Sequence, residues 1–325
     1  MSFYIDKKIL VAGGTGMIGK SLVDILLKEG AQIRIASLDD SSRANPEAEF
    51  VKADLRDYEN CLKVCDGRDY VFNLLCVKGN PKVTKEKPAS FFDSIILFDT
   101  NLLRAAKKVD VERYLYTSTL GVYSPAEIFM EDEVWKTMPS ENDWFSGWAK
   151  RMGELQAEAY KIEFNWKTID IARPANTYGP YDNFDSVNAM VVPSLIKRVV
   201  DGENPLMVWG DGSSIRDFVY TEDIAEGIAM ILEKNPGIPV NLGSGRGYSI
   251  KELVNVILVN VKNPPEVIWD SSKPSGDKKR IMDVSRAKKM GWQPRVSLEE
   301  GIKKTIKWYD ENKETAGDRY DVFKS

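Results

Sequence analysis

The sequence predicts an α/β fold: a doubly wound parallel sheet, joined to a smaller α/β unit that is interleaved with it towards the C-terminal end. Three observations carry that expectation. The chain opens on an apolar run, Ile9-Leu10-Val11-Ala12, which passes through a glycine turn into apolar residues at helical spacing. Short strand-length apolar runs then alternate with amphipathic helical patterns, the order that builds a parallel sheet covered on both faces. Finally, 325 residues, of which 43% are hydrophobic, suffice for the core of one large domain or two interleaved ones.

Residues 7–12 read as the first strand, and Leu22, Val23, Leu26 and Leu27 mark one face of the helix after it. Between them lie Gly13-Gly14-Thr15-Gly16-Met17-Ile18-Gly19. Gly13, Gly16 and Gly19 let the backbone turn tightly and approach a pyrophosphate, whose charge meets the free N–H groups and positive end of the helix; Met17 and Ile18 belong to the same turn. Gly30 ends the helix, and Ile33–Ser37 forms a second strand whose end lies beside the adenosine ribose of a bound dinucleotide. Ser37 stands there, followed by Asp39 and Asp40, whose carboxylates suit ribose hydroxyls and repel a 2′-phosphate. NAD is therefore favoured, while Arg34 and Arg43 keep NADP open.

A short strand from Phe50 ends in Asp54 and Leu55, where Asp54 either contacts adenine or caps a turn. Tyr70–Leu75 is a further strand, with Leu75 at its carboxyl end. Residues 91–109 carry a broad apolar stripe suited to helix packing or a dimer interface. Arg113–Thr117 gives another strand, ending in Ser118 and Thr119. Ligands of such sheets sit at the carboxyl ends of the strands, so Thr119 and the helix beginning near Ser146 face one crevice. Ser146 and Lys150 are four residues apart, one turn on the same helical face: either a pair facing a pocket or a polar surface patch.

In the second half, residues 188–201 read as a helix, Leu206–Trp209 and Phe218–Tyr220 as strands, Thr221–Glu233 as a helix and Asn241-Leu242-Gly243 as a strand returning to the sheet. Ser249 with Glu252, and Ser297 with Glu300, are capping-box patterns that open two more helices. The charged segment Glu314–Ser325 is expected to be loose.

Composition excludes several chemistries. The chain has no histidine, so neither a Ser-His-Asp hydrolase nor a histidine metal site can be built; acid–base work falls to Tyr, Lys, Asp, Glu, Cys or water. Cys61, Cys65 and Cys76 include no CxxC pair, which argues against a disulfide framework and a thiolate metal site. Cys61 and Cys65 read as core residues of a short helix. No metal is expected. A net charge of −4 without long basic runs leaves no nucleic-acid footprint, Lys278-Lys279-Arg280 being the one local cluster. No apolar run approaches the ~18 residues of a membrane span, and a cytoplasmic location is expected.

Several motifs then combine: Gly13-x-x-Gly16-x-x-Gly19, Asp54-Leu55, Thr117-Ser118-Thr119-Leu120-Gly121-Val122-Tyr123, Gly147-Trp148-Ala149-Lys150 and Arg173-Pro174-Ala175-Asn176-Thr177-Tyr178-Gly179-Pro180. Through these the chain resembles, over nearly its whole length, the extended short-chain dehydrogenases/reductases, the group of nucleotide-sugar epimerases, dehydratases and GDP-fucose synthase. The resemblance implies a Rossmann-like NAD-binding domain at 1–176, with a strand near 239–243 returning to it, and a nucleotide-sugar-binding domain at 177–325. It also implies a homodimer or higher oligomer, packed through helices near 91–109 and 147–164.

In such enzymes a Tyr four residues before the Lys takes the proton of a substrate hydroxyl, the Lys holds the nicotinamide ribose and lowers the phenol's pKa, and a Ser or Thr hydrogen-bonds the reacting oxygen. Lys150 and Thr119 carry over by position. The Tyr does not, because its place is Ser146. A phenol titrates near ~10 and can be brought lower, whereas an aliphatic hydroxyl is a far poorer acid. Three substitutes stand open: a water held by Ser146, Thr119 and Lys150, which is favoured; Lys150 itself; or Tyr123, Tyr178, Glu127, Glu131 or Glu133 brought into the site.

The second half is similar to the substrate domain of GDP-sugar and related enzymes in Asn188-Ala-Met-Val-Val-Pro193, Val208-Trp209-Gly210-Asp211-Gly212, Ile215-Arg216-Asp217-Phe218 and Lys273-Pro-x-Gly276-x-x-x-Arg280. The likeness implies that Arg216 and Arg280 bind the diphosphate, a role suited to planar, permanently charged donor forks. Asn176, Asn188 and Val191 are implied contacts of the sugar nucleotide; Lys197 and Arg198 either assist at the guanine or form a solvated helix face. The expected activity is NAD-dependent oxidation of a nucleotide-sugar C4 hydroxyl, with a GDP-sugar favoured, in surface-polysaccharide synthesis. A 4-epimerase and a catalytically silent NAD(P)-binding regulator are the alternatives.

Overall fold

The computed structural model describes residues 2–77, 81–273 and 276–321, side chains of 81–83 excepted. In chain order the first part contains β1 (Lys8–Ala12), α1 (Met17–Lys28), β2 (Gln32–Ser37), β3 (Glu49–Lys52), α2 (Tyr58–Cys65), β4 (Tyr70–Asn73), α3 (Pro81–Glu86), α4 (Pro88–Lys108), β5 (Arg113–Thr117), α5 (Trp144–Glu163) and β6 (Ile169–Pro174). The remainder contains β7 (Asn176–Tyr178), α6 (Val191–Val200), β8 (Leu206–Trp209), β9 (Ile215–Arg216), β10 (Phe218–Tyr220), α7 (Thr221–Lys234), β11 (Val240–Leu242), β12 (Tyr248–Ser249), α8 (Ile250–Leu258), β13 (Val267–Asp270), β14 (Lys279–Arg280), α9 (Ser285–Lys289) and α10 (Leu298–Glu311).

A seven-stranded sheet runs β11-β6-β5-β4-β1-β2-β3, every neighbouring pair parallel. Because helices cover both faces, β1 is a continuous apolar run rather than an alternating one. Its residues still alternate in direction. Ile9 and Val11 join the core packed on α1 and α7, while Leu10 joins the core of α2, α4 and α5. Cys61 and Cys65 are buried in that second core. A third core, built on Val192, Leu195, Leu253, Ile302 and Tyr309, holds α6, α8 and α10 together.

The returning strand is β11, which pairs with β6 in the register Val240–Ala172 to Leu242–Pro174. Of the two expected capping boxes, Ser249 and Glu252 form one in full. At α10 only the forward half is in place: Ser297 accepts the Glu300 N–H, and the Glu300 carboxylate turns 2.9 Å from Lys304 instead. A second expectation is also corrected. Residues 314–321 are not loose, because Asp318 and Tyr320 are bonded to Arg43 and Asp39 of the first part; residues 322–325 lie outside the described ones.

Asp170 sits within β6 with no exposed surface, and burial pushes its carboxyl up to about 7, opposed by the Gly237 N–H at 3.3 Å. Between about pH 4 and 7 the native chain therefore binds a proton that the unfolded chain releases, and stability falls as pH rises through that window, by up to roughly 4 kcal/mol. Asp170→Asn is expected to raise Tm more at pH 8 than at pH 5; equal gains at the two pH values would refute this.

Candidate active site

The glycine turn is built for close approach. Gly13 has φ +82, and a Cβ there would lie 3.2 Å from the Leu74 carbonyl; a Cβ on Gly19 would lie 2.3 Å from the Gly13 carbonyl. Gly16 is the N-cap of α1 and offers no side chain, and the first turn of α1 carries no acid, so the positive end of the helix is left uncompensated, a terminus suited to an anion. Met17 is buried and its carbonyl accepts Thr221 Oγ1, while Ile18 packs partly buried against the core.

Beside this turn Thr15 Oγ1 lies 2.7 Å from both Ser37 Oγ and Asp39 Oδ2, which gathers the residues expected at the adenosine ribose. Asp40 instead caps a short turn through the Ser42 N–H. Arg34 is corrected as a cofactor candidate: it pairs with Glu49 and donates to the carbonyls of Val64 and Asp66 at the end of α2. Arg43 remains beside Asp39, with Nε and Nη2 buried and unmatched among the described residues. Asp54 accepts the N–H and guanidinium of Arg56, the turn role, and Leu55 is buried next to it. These residues fit a dinucleotide: a cradle closed to any side chain, a bare helix terminus and buried donors without partners.

Lys150 is 2% exposed, and its Nζ donates to the Leu75 carbonyl at 3.0 Å, the Thr117 carbonyl at 3.1 Å and Asp99 Oδ2 at 3.2 Å. Asp99 also accepts from Tyr116 and Asn73, both at 2.8 Å. Burial raises the Asp99 carboxyl, and Lys150 is the main opposing influence. The helix that carries Lys150 is locked by a second buried pair, Arg173 of β6 with Glu154 of α5, at 2.8 and 2.6 Å.

The loop of Thr119 packs on the first turn of α5. A Cβ on Gly147 would lie 2.4 Å from the Gly121 carbonyl, which explains why glycine precedes Trp148. Thr119 accepts the Gly121 N–H, and Ser146 Oγ donates to the Asp143 carbonyl at 3.2 Å. The proposed replacements for the missing phenol are engaged elsewhere. Tyr123 is buried, donating to Asn241 and accepting from Arg173; Tyr178 is buried against α10; Glu131 accepts the Asn241 N–H. Glu127 and Glu133 pair with Lys279 and Lys136 at the surface.

Arg216 and Arg280 face each other in register on β9 and β14. Arg280 is bound to Asp143, at 2.6 Å, and to Asp277, and Ser140 and Asn142 also donate to Asp277. Arg216 donates to the carbonyls of Ile215 and Asp277, and burial, then the neighbouring Arg280, pulls its guanidinium down to about 10. Since Asp143 is the N-cap of α5, the arginine pair adjoins the turn that carries Ser146. Asn176 donates to the Asp217 carbonyl. Asn188 is buried, its Oδ1 unmatched among the described residues, and Val191 opens α6 three residues on. Lys197 pairs with Asp201 and Arg198 with Glu203, which fastens the end of α6. Sequence reasoning did not find Asp99, Asp143, Glu154 or Asp277; the first had a signal, since Asp99 shares the apolar phase of Ile95 and Leu102 in α4.

Residues 9–243 match the NAD dependent epimerase/dehydratase family. The chain is 30% identical over 317 residues to GDP-L-fucose synthase 1 of Arabidopsis thaliana, covering 94% of each chain. Among solved structures, an epimerase of Methanothermobacter thermautotrophicus superposes with a TM-score of 0.88 at 28% identity, over 96% of this chain and 95% of that one. The UDP-glucose 4-epimerase of Thermus thermophilus, solved in complex with NAD, gives a TM-score of 0.80 at 25% identity, over 93% and 98%.

Proposed function

The chain belongs to the NAD dependent epimerase/dehydratase family, and we propose that within it this protein oxidises the C4 hydroxyl of a GDP-linked sugar to a 4-keto sugar for surface-polysaccharide synthesis. The observation that carries the reading is the Arg216–Arg280 pair, two half-buried guanidiniums side by side at the turn that carries Ser146, one of them depressed by partial burial and then by the other's charge. Such a pair seeks a dianion, and a sugar diphosphate bound there places its sugar towards Thr119 and Ser146. The GDP preference rests on the likeness to the Arabidopsis thaliana GDP-L-fucose synthase.

NAD, when bound, supplies the hydride acceptor. Lys150, fixed by Asp99 and Thr117, brings positive charge to the reacting centre and would reach the nicotinamide ribose by exchanging its bond to the Leu75 carbonyl for one to the ribose. Thr119 holds the reacting oxygen, and a water between Thr119 and Ser146 relays the hydroxyl proton to bulk solvent as the hydride leaves, in place of a phenolate. Asn188, with an unmatched buried oxygen, contacts the sugar nucleotide.

The test is anaerobic incubation with NAD and GDP-hexoses or GDP-heptoses, following NADH absorbance and the keto product. NADH and ketone forming together are expected; neither from any GDP-sugar sinks the reading. A C4 epimer with no net NADH selects the 4-epimerase, the reading favoured by the structural likeness to the Thermus thermophilus enzyme.

We also propose dimerisation through α4 and α5, which expose Leu97, Leu155 and, at 76%, Ile162. Light scattering should give the mass of two subunits; Leu155→Glu with Ile162→Glu should give one. A wild-type mass of one subunit would exclude this interface.

A further inference from the structure

The segment after α10 leaves the third core and crosses to the first part of the molecule, where it lies on the glycine turn. The Asp318 carbonyl accepts Arg43 Nη1 at 2.9 Å, and the Tyr320 N–H donates to Asp39 Oδ1 at 2.8 Å. Arg319 Nη2 lies 3.4 Å from where a Cβ on Gly16 would stand, and its Nη1 donates to the Tyr181 carbonyl at 3.4 Å. At the far end Asp321 accepts Asn188 Nδ2 at 3.4 Å. The strap thus joins the adenosine end of the cleft to the substrate side.

The charge collected beneath it has a sign. Arg319, Arg43 and Lys20 gather beside the bare N-terminus of α1, and Lys20 also lines an adjoining cavity of about 240 Å³ together with Gly14, Asp24, Asn45 and Tyr181. Asp39 is shared between the two arginines at 3.9 and 4.0 Å, and two guanidinium nitrogens of Arg43 remain buried and unmatched among the described residues. Burial, then Arg43 for Lys20 and Arg319 for Arg43, disfavours the charged forms of these two side chains, with Asp24 and Asp39 opposing. A cluster in this state is completed by an anion.

We propose that residues 318–321 are part of the cofactor site, a strap that closes over the dinucleotide, with Arg319 binding its pyrophosphate where the chain passes over Gly16. The inference rests on the cofactor cleft and is independent of the reaction performed on the sugar. It makes the C-terminal end a determinant of cofactor retention, with one face on the Asp39 carboxylate and the other on Asn188.

The experiment is calorimetric titration of NAD and NADP into the full-length chain, a chain ending at Gly317, Arg319→Ala and Arg319→Lys. Loss of a charge-assisted contact predicts NAD affinity lower by about tenfold or more in the truncated chain and by about tenfold in Arg319→Ala, partly restored in Arg319→Lys. NAD should also slow carboxypeptidase removal of the last residues in the full-length chain. Unchanged NAD affinity in both Arg319→Ala and the truncated chain overturns the proposal, as does tighter binding, which would make the strap a plug that the cofactor displaces. A loss confined to NADP overturns it in favour of a 2′-phosphate contact. Absence of binding by the full-length chain would overturn the cleft itself, an outcome separable from normal binding by every form.

Discussion

Lys150→Ala is expected to lower turnover by about two to three orders of magnitude, while Ser146→Ala lowers it by less than about tenfold. The asymmetry follows from what each side chain holds. Lys150 is buried, carries the positive charge of the site and is fixed by a carboxylate and two carbonyls at 3.0 to 3.2 Å. Ser146 makes one hydrogen bond, to the Asp143 carbonyl within its own turn, and its contribution to a water relay is shared with Thr119. Alanine at 150 also leaves Asp99 buried without its cation, which costs about 3 to 5 kcal/mol of stability. The double variant Lys150→Met with Asp99→Asn removes both charges and should recover much of that stability without recovering turnover. Thermal melts alongside initial rates separate the two effects. If Ser146→Ala is as inactive as Lys150→Ala, the serine itself is essential and the shared water relay is wrong.

The parts of this site that were legible in the sequence are those set by local pattern. The glycine turn declares itself because Gly13 and Gly19 occupy positions where a Cβ collides with backbone, and β1 because a buried parallel strand is an uninterrupted apolar run. Spacing alone leaves Lys150 open between a pocket and a surface patch, and its role comes from the family resemblance of the Gly147–Lys150 motif. What the sequence hid was set by long-range pairing. Glu154 and Arg173 are nineteen positions apart on different elements, and each alone reads as an ordinary surface charge until β6 is seen beside α5. Asp277 and Asp143 meet only through Arg280. Glu314–Ser325 reads as a charged tail because the partners of Asp318 and Tyr320 within it, Arg43 and Asp39, lie some 280 residues earlier. Conversely, Tyr123 and Glu131 looked available because composition carries no record that β11 would claim both through Asn241.

Arg216→Ala is expected to weaken GDP binding by roughly 30- to 1,000-fold, the consequence of removing one fork of the proposed diphosphate clamp, with NAD affinity unchanged. Arg216 is the better probe of the pair. Arg280 is bound to Asp143 and Asp277, so its removal strands two carboxylates and loosens the N-terminus of α5 together with the site. Arg216 instead donates to the carbonyls of Ile215 and Asp277, so its truncation leaves the bonds of Arg280 to Asp143 and Asp277 in place. Arg216→Lys should recover only part of the affinity, because an ammonium keeps the charge but not the planar fork. The pH dependence gives an independent readout. Burial and then Arg280 bring the Arg216 guanidinium down to about 10, and a phosphate binds its charged form, so GDP affinity for the wild-type chain should decline as pH rises through 10. The Arg216→Ala variant, with no titrating group at this position, should not reproduce that profile. Calorimetric titration of GDP between pH 8 and 11 measures both quantities. A GDP affinity that is indifferent to Arg216→Ala would remove the diphosphate from this pair, and with it the argument that the sugar is presented to Thr119 and Ser146.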